Sequence, residues 1–244
     1  MAVVYHPLIK LQRELYEIPR GPERFKRYIE TLRDPHTQDM RLPLSAMNPM
    51  AKDHVPEALD LYLDEQADEV AGTCLAEIQP QLQEMSHQYQ AALVMADDAH
   101  GMWTERFSVE FGERFETKPH FRRGWLVGLL WSSERPSLEK VRHALATAVF
   151  RGLYIEKYGF ASTLQEMMAQ EGFVLEKSGI TQMLDADELA YSRELIAPHL
   201  ETDDYPLIMS IIFGDEAAET LGYEPLGLSY QAGLMVALAN QTDH

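Results

Sequence analysis

A single cysteine, Cys74, stands in 244 residues, so the chain cannot close an internal disulfide. It falls on the apolar stripe of a predicted helix, where a free thiol behaves as a small hydrophobe. Such a chain is expected in a reducing compartment, the cytoplasm. No uncharged apolar run approaches the roughly 18 residues a membrane span requires. The opening segment MAVVYHP also lacks the basic n-region and long h-region of a secretory signal. Positive charge is scarce too: 21 Lys and Arg face 39 Asp and Glu, a formal net charge of −18. That balance argues against nucleic acid and anionic membrane as partners. The familiar local signatures are missing as well. There is no HExxH, no CxxC, no histidine pair at i, i+4, no P-loop, no GxSxG and no GxGxxG.

What charge there is runs in blocks. Residues 51–110 carry 2 basic and 13 acidic side chains, and residues 161–244 carry 2 and 15. The intervening segments 1–50 and 111–160 are mildly basic, at +2 and +4. One reading is intramolecular, with basic and acidic segments packed side by side. The other places the basic island at 114–151 around an anionic small molecule.

Apolar spacing gives the elements. Leu8, Leu11, Leu15 and Ile18 predict a helix over 6–18; Pro19–Pro22 breaks it, and a second helix over 22–33 completes a hairpin. The proline-rich stretch 34–53 is too long for a bare linker and is expected to pack on something. Asp53 is the expected cap of one long helix to about residue 79, with Val55, Leu59, Val70, Cys74 and Ile78 inside. Two nearly continuous apolar runs, 90–96 and 124–132, read as strands buried on both faces, as parallel sheets require. A helix over 102–116 lies between them, the size of a βαβ unit. A third strand must exist, with 2–5, 40–45 and 207–213 as candidates. Ser137, Thr163–Glu166 and Asp185–Glu188 mark helix starts, and Gly179 and Gly222 mark stops. The expected architecture is one predominantly helical α/β or α+β domain spanning 1–244. It comprises the hairpin at 6–33, the βαβ-like segment at 89–133 and a helical region at 137–240 around a small sheet.

Chemical groups concentrate where the two apolar runs stop. The first opens into Asp97, Asp98 and His100; the second opens into Ser132, Ser133 and Glu134. In open α/β sheets ligands bind beyond the carboxyl ends of the strands, so parallel strands bring both clusters to one edge. Asp97 and Asp98 are the candidate ligands of a divalent cation such as Mg²⁺, which prefers carboxylate oxygens. His100 and Glu134 are the candidate acid–base pair, with His100 titrating near neutral pH. Trp103, Arg106, Ser132 and Ser133 are the candidate substrate contacts. A purely structural reading competes with this one: Asp98 caps the following helix and Asp97 makes a turn. Strands ending in Asp-Asp occur in response-regulator receivers, but the second strand here ends in Ser-Ser-Glu and the sole lysine after residue 160 is Lys177.

Two function classes follow. The first is a small-molecule enzyme, metal-assisted or not, working at the acidic corner. The second is a non-catalytic acidic scaffold that presents residues 54–79 and 185–224 to a basic protein. Methionine- and aromatic-rich faces are also compatible with a homodimer.

Overall fold

The structure is a computed structural model and describes residues 2–37, 39–99 and 104–242. Two compact units emerge from its contacts: residues 1–109 with 118–149, and residues 110–117 with 150–244. Among the described residues it is a predominantly helical α/β protein with three strands and twelve α-helices. None of those helices is long and apolar enough to cross a membrane.

The first unit is built on a parallel sheet of order β1 (Val3–Tyr5), β2 (Tyr89–Ala96), β3 (Trp125–Trp131). Of the three candidate third strands, 2–5 is the one that pairs, Val3 lying opposite Tyr89. Residues 207–213 are helical instead, and 40–45 contribute only an isolated bridge from Met40 to Arg33. The central run β2 is buried along nearly its whole length, as two-sided coverage demands. Gly128 in β3 has a packing reason: a Cβ there would meet the Ala144 carbonyl oxygen at 2.4 Å. Its absence lets α7 (Leu138–Tyr158) lie directly on the strand.

β1 is only three residues long and covers the start of β2 alone. Further along, the wholly buried Gln12 of α1 (Leu8–Glu17) completes the edge. Its amide nitrogen donates to the Leu93 carbonyl at 3.3 Å, and its oxygen accepts from the Met95 amide at 2.9 Å. A carboxamide side chain thus imitates the missing strand, so neither backbone group is left unsatisfied.

The segment 34–53 does pack. Leu44 and Met47 are fully buried, and Tyr28 of α2 (Pro22–Leu32) donates to the Leu44 carbonyl at 3.1 Å. Arg24, also on α2, caps the Ile18 and Ala51 carbonyls. The single helix expected from residue 53 to 79 is two, α3 (His54–Asp64) and α4 (Ala67–Ile78). Gln66 sits between them in the left-handed region, at φ 58°. The break puts Asp68 and Glu69 in the first turn of α4, where the helix dipole favours carboxylates, whereas an unbroken helix would hold four neighbouring acids mid-course. It also shifts the buried phase to Ala67, Ala71, Cys74 and Leu75. Asp53 gives α3 no side-chain cap.

The chain continues through α5 (Arg106–Phe115) and α6 (Lys118–Arg122). The second unit is helical: α8 (Leu164–Lys177), α9 (Ala186–Ile196), α10 (Tyr205–Phe213), α11 (Asp215–Leu221) and α12 (Ala232–Thr242), with the ends of α5 and α7. Thr163 and Glu166 form the expected reciprocal capping box, and Asp185 accepts from the Glu188 amide. Gly214 separates α10 from α11 at φ 85°, and a Cβ there would sit 2.1 Å from the Ser229 carbonyl oxygen. Asp215 then accepts hydrogen bonds from the amides of Leu226, Gly227 and Leu228, fixing the approach to α12.

Candidate functional site

β2 and β3 run parallel to their last pair, Ala96 opposite Trp131. Asp97 and Asp98 therefore leave the sheet at the same edge as Ser132, Ser133 and Glu134. His100 and Trp103 lie outside the described residues.

Asp97 is buried and held on both oxygens. His54 Nε2 lies 2.7 Å from Oδ1, Asn48 Nδ2 donates to Oδ2 at 2.7 Å, and the Ser132 hydroxyl reaches Oδ1 at 3.1 Å. Burial pushes the Asp97 pKa up, but these hydrogen bonds outweigh it and hold the group below the ordinary carboxylate value. Each partner is placed by a different stretch of chain. The packed segment before α3 supplies Asn48, whose backbone carbonyl is fixed by Tyr16 Oη at 2.6 Å. The first residue of α3 supplies His54.

Asp98 accepts from the Ser133 amide at 2.9 Å and from the Ser133 hydroxyl at 2.7 Å, and it pairs with Arg106 at 3.3 Å. It does not cap α5; Glu105 does, accepting from the amides of Phe107 and Ser108. Ser132 ties the two strand ends together by accepting from the amides of Asp98 and Ala99. Beyond it, Glu134 pairs with Arg106 through one oxygen and with Lys140 through the other, at 2.8 Å. Burial raises the Glu134 pKa, yet Lys140 and Arg106 more than offset this and keep it lowered, so Glu134 is a carboxylate at neutral pH. The guanidinium of Arg106 also lies over the ring of Trp131, 4.9 Å from its centroid.

This arrangement favours some chemistries over others. Asp97 stands between Ser132 and His54, so Ser132 hydrogen-bonds to a carboxylate and not to an imidazole. That is not the order of a nucleophilic triad, in which histidine is the middle member. Among the described residues no group of three or more His, Cys, Asp or Glu is set to hold a metal. The pair His54–Asp97 is different in kind. With an ionised Asp97, Nε2 is the ring nitrogen that donates the hydrogen bond. The imidazole remains partly accessible, at 23% side-chain exposure, beside a carboxylate at 8%. Nothing in the sequence pattern joined Asn48 or His54 to Asp97. His54 shares a helix face with Glu57, and only the fold shows that it turns to Asp97, 43 residues away.

A second polar cluster lies wholly inside the other unit. Glu171, fully buried on α8, receives Arg151 in a two-pronged pair at 2.8 and 2.9 Å and also receives Arg114. Gln170 donates to Glu171 at 3.1 Å, and Arg114 reaches Glu110 at 3.5 Å. Burial alone would raise the Glu171 pKa, but the two guanidiniums bring it down to about 2. Glu113, one helical step from Glu110, has no such partner, and burial pushes it up to about 7 against the pull of Arg151.

No family model, no curated protein and no solved structure matches this chain.

Proposed function

We propose that the chain is an enzyme acting on a small molecule at the carboxyl edge of its sheet. His54 is the general acid–base group, and Asp97 is the carboxylate that fixes its tautomer and stabilises the imidazolium. The observation that carries this reading is the 2.7 Å contact between an accessible imidazole and a buried, hydrogen-bonded carboxylate at a sheet edge. A carboxylate in that position is the usual device for making a histidine accept a proton at one nitrogen and surrender it later. Ser132 and Ser133 position the two aspartates. Arg106 and Lys140 neutralise Glu134, which therefore serves as a fixed charge and not as a proton donor.

Thermal unfolding tests the reading directly. The purified chain is heated alone and with phosphorylated, carboxylated and neutral metabolites, in parallel with His54→Gln. A ligand at about 100 times its Kd adds about 2.7 kcal/mol. For a chain of this size that is about 5–10 °C in Tm. The expected result is such a shift for at least one class in the wild type and its loss in His54→Gln. A flat response to every class overturns the proposal, as does a shift that His54→Gln leaves intact.

A further inference from the structure

The second unit carries most of the chain's charge. It holds 5 Lys and Arg against 19 Asp and Glu, or −14 of the total −18. Two of its five cations, Arg114 and Arg151, are consumed internally by Glu171. Lys157 and Lys177 lie against the rings of Tyr158 and Phe173. From residue 178 to 242 the sole cation is Arg193, against 11 Asp and Glu.

Within this acidic stretch three large apolar side chains are left in solvent. Met183 is 56% exposed, Tyr191 51% and Tyr230 41%. Local contacts join the segments that carry them. Gln182 bonds the Met235 carbonyl of α12 at 2.9 Å and folds its own oxygen back onto the Met183 and Leu184 amides. Glu188 of α9 accepts from the Ser229 hydroxyl. Tyr191, one turn further along α9, brings its hydroxyl so close to Gly227 that a Cβ there would meet it at 3.0 Å. α9 thus lies against Gly227 and Ser229, and Tyr230 follows directly in the chain. Asp187 and Glu194, both exposed, stand one turn to either side of Tyr191.

We infer that this face, formed by Met183, Tyr191 and Tyr230 within an acidic rim, is a docking surface for a basic amphipathic segment of a partner protein. Charge complementarity selects the occupant. An acidic rim in which Arg193 is the sole cation repels nucleic acid, anionic membrane and acidic peptides, and it steers a segment rich in lysine or arginine toward itself. The tyrosine faces and the thioether then take that segment's apolar side chains and stack against its cations. Neither group alone would give a specific site, because rim charges act mostly on encounter and buried apolar anchors hold the complex.

The test uses the full chain and three short synthetic peptides: a helical leucine–lysine peptide, the same peptide with serine for leucine, and one with glutamate for lysine. Binding is followed by fluorescence anisotropy. The leucine–lysine peptide is expected to bind at least about tenfold tighter than its serine counterpart, a difference of about 1.4 kcal/mol. The glutamate peptide should not bind. Binding should weaken as salt rises from about 0.1 M to about 1 M, where the screening length falls from about 10 Å to about 3 Å. Tyr191→Ser with Tyr230→Ser should bring the leucine–lysine peptide to the serine peptide's level, and Asp187→Asn with Glu194→Gln should weaken both basic peptides. Equal binding of the two basic peptides, or full binding by the tyrosine variant, overturns the inference. Hydrogen exchange on the unmodified protein gives a check independent of any variant. The leucine–lysine peptide should protect residues 183–194 and 227–231, and protection confined elsewhere overturns the inference. A concentration-dependent dimer that disappears in Tyr191→Ser would overturn it in favour of a second copy of the chain.

Discussion

The carboxylates of Asp97 at the sheet edge and of Glu171 in the second unit are both buried and both held below the ordinary carboxylate value, but by opposite means. Asp97 relies on an amide, a hydroxyl and an imidazole, which are neutral or titratable donors. Glu171 relies on two guanidiniums, which stay charged at any ordinary pH. The imidazole on Asp97 keeps 23% of its side chain exposed beside a carboxylate at 8%. Glu171 itself is fully buried, and its two cations are 17% and 8% exposed. The first arrangement suits proton transfer, and the second suits a locked helix packing. Glu113 sharpens the contrast from inside the second unit, because a partly buried carboxyl without its own hydrogen-bonded cation drifts toward neutrality.

The largest expected effect tests the locked cluster. Glu171→Gln removes the countercharge of the buried Arg151 and the partly buried Arg114 and should destabilise the protein by about 3–5 kcal/mol, read by denaturant unfolding. A loss below about 1 kcal/mol would mean that the second cluster is as adaptable as the first. The pH dependence has a definite sign. Glu171 has a folded pKa depressed to about 2, so its contribution is present above the ordinary value of 4.5 and is lost as pH falls toward 2.

Glu113 has the opposite sign. Its folded pKa is raised to about 7 from 4.5, so the folded state is favoured below pH 4.5 and loses that advantage as pH climbs through 7. Glu113→Gln should therefore stabilise the protein at pH 8 by up to about 3 kcal/mol and flatten its stability between pH 5 and 8. Unfolding curves at several pH values decide this, and an unchanged slope would show that the carboxyl is solvated.

The smallest effect belongs to the sheet edge. Asp97→Asn keeps the shape but exchanges a charged acceptor for a neutral one, and it should lose about 1–2 kcal/mol at neutral pH. Because the Asp97 pKa is lowered in the folded state, this deficit should close as the solution is acidified below the ordinary carboxylate value. Any ligand-induced Tm shift should vanish in the same variant. Retention of that shift would separate Asp97 from the chemistry assigned to His54.

Much of this architecture was readable in the chain. β2 and β3 were legible because a strand buried on both faces needs an uninterrupted apolar run, and the polar residues that end those runs mark the sheet edge. The capping box at Thr163 and the stop at Gly179 were legible because each depends on residues a few positions apart. The helix break at Gln66 was not, since no glycine or proline announces it. Gln12 was hidden for another reason: a glutamine on an apolar stripe looks like an interruption until the strand it completes is in place. An arginine in apolar surroundings, such as Arg151, needs a carboxylate partner, but nothing local identifies Glu171.

The sequence by itself determined where the two long strands lie, where several helices start and stop, how the charge is apportioned and which polar groups crowd the ends of the strands. These follow from short-range periodicity and from solvation, which each residue carries wherever the chain goes. Only the tertiary structure decided that 3–5 is the third strand, that all three run parallel, and that Asn48 and His54 close on Asp97 from 49 and 43 residues away. Those pairings depend on distances set by packing, and a buried carboxylate accepts whichever donors the fold delivers to it.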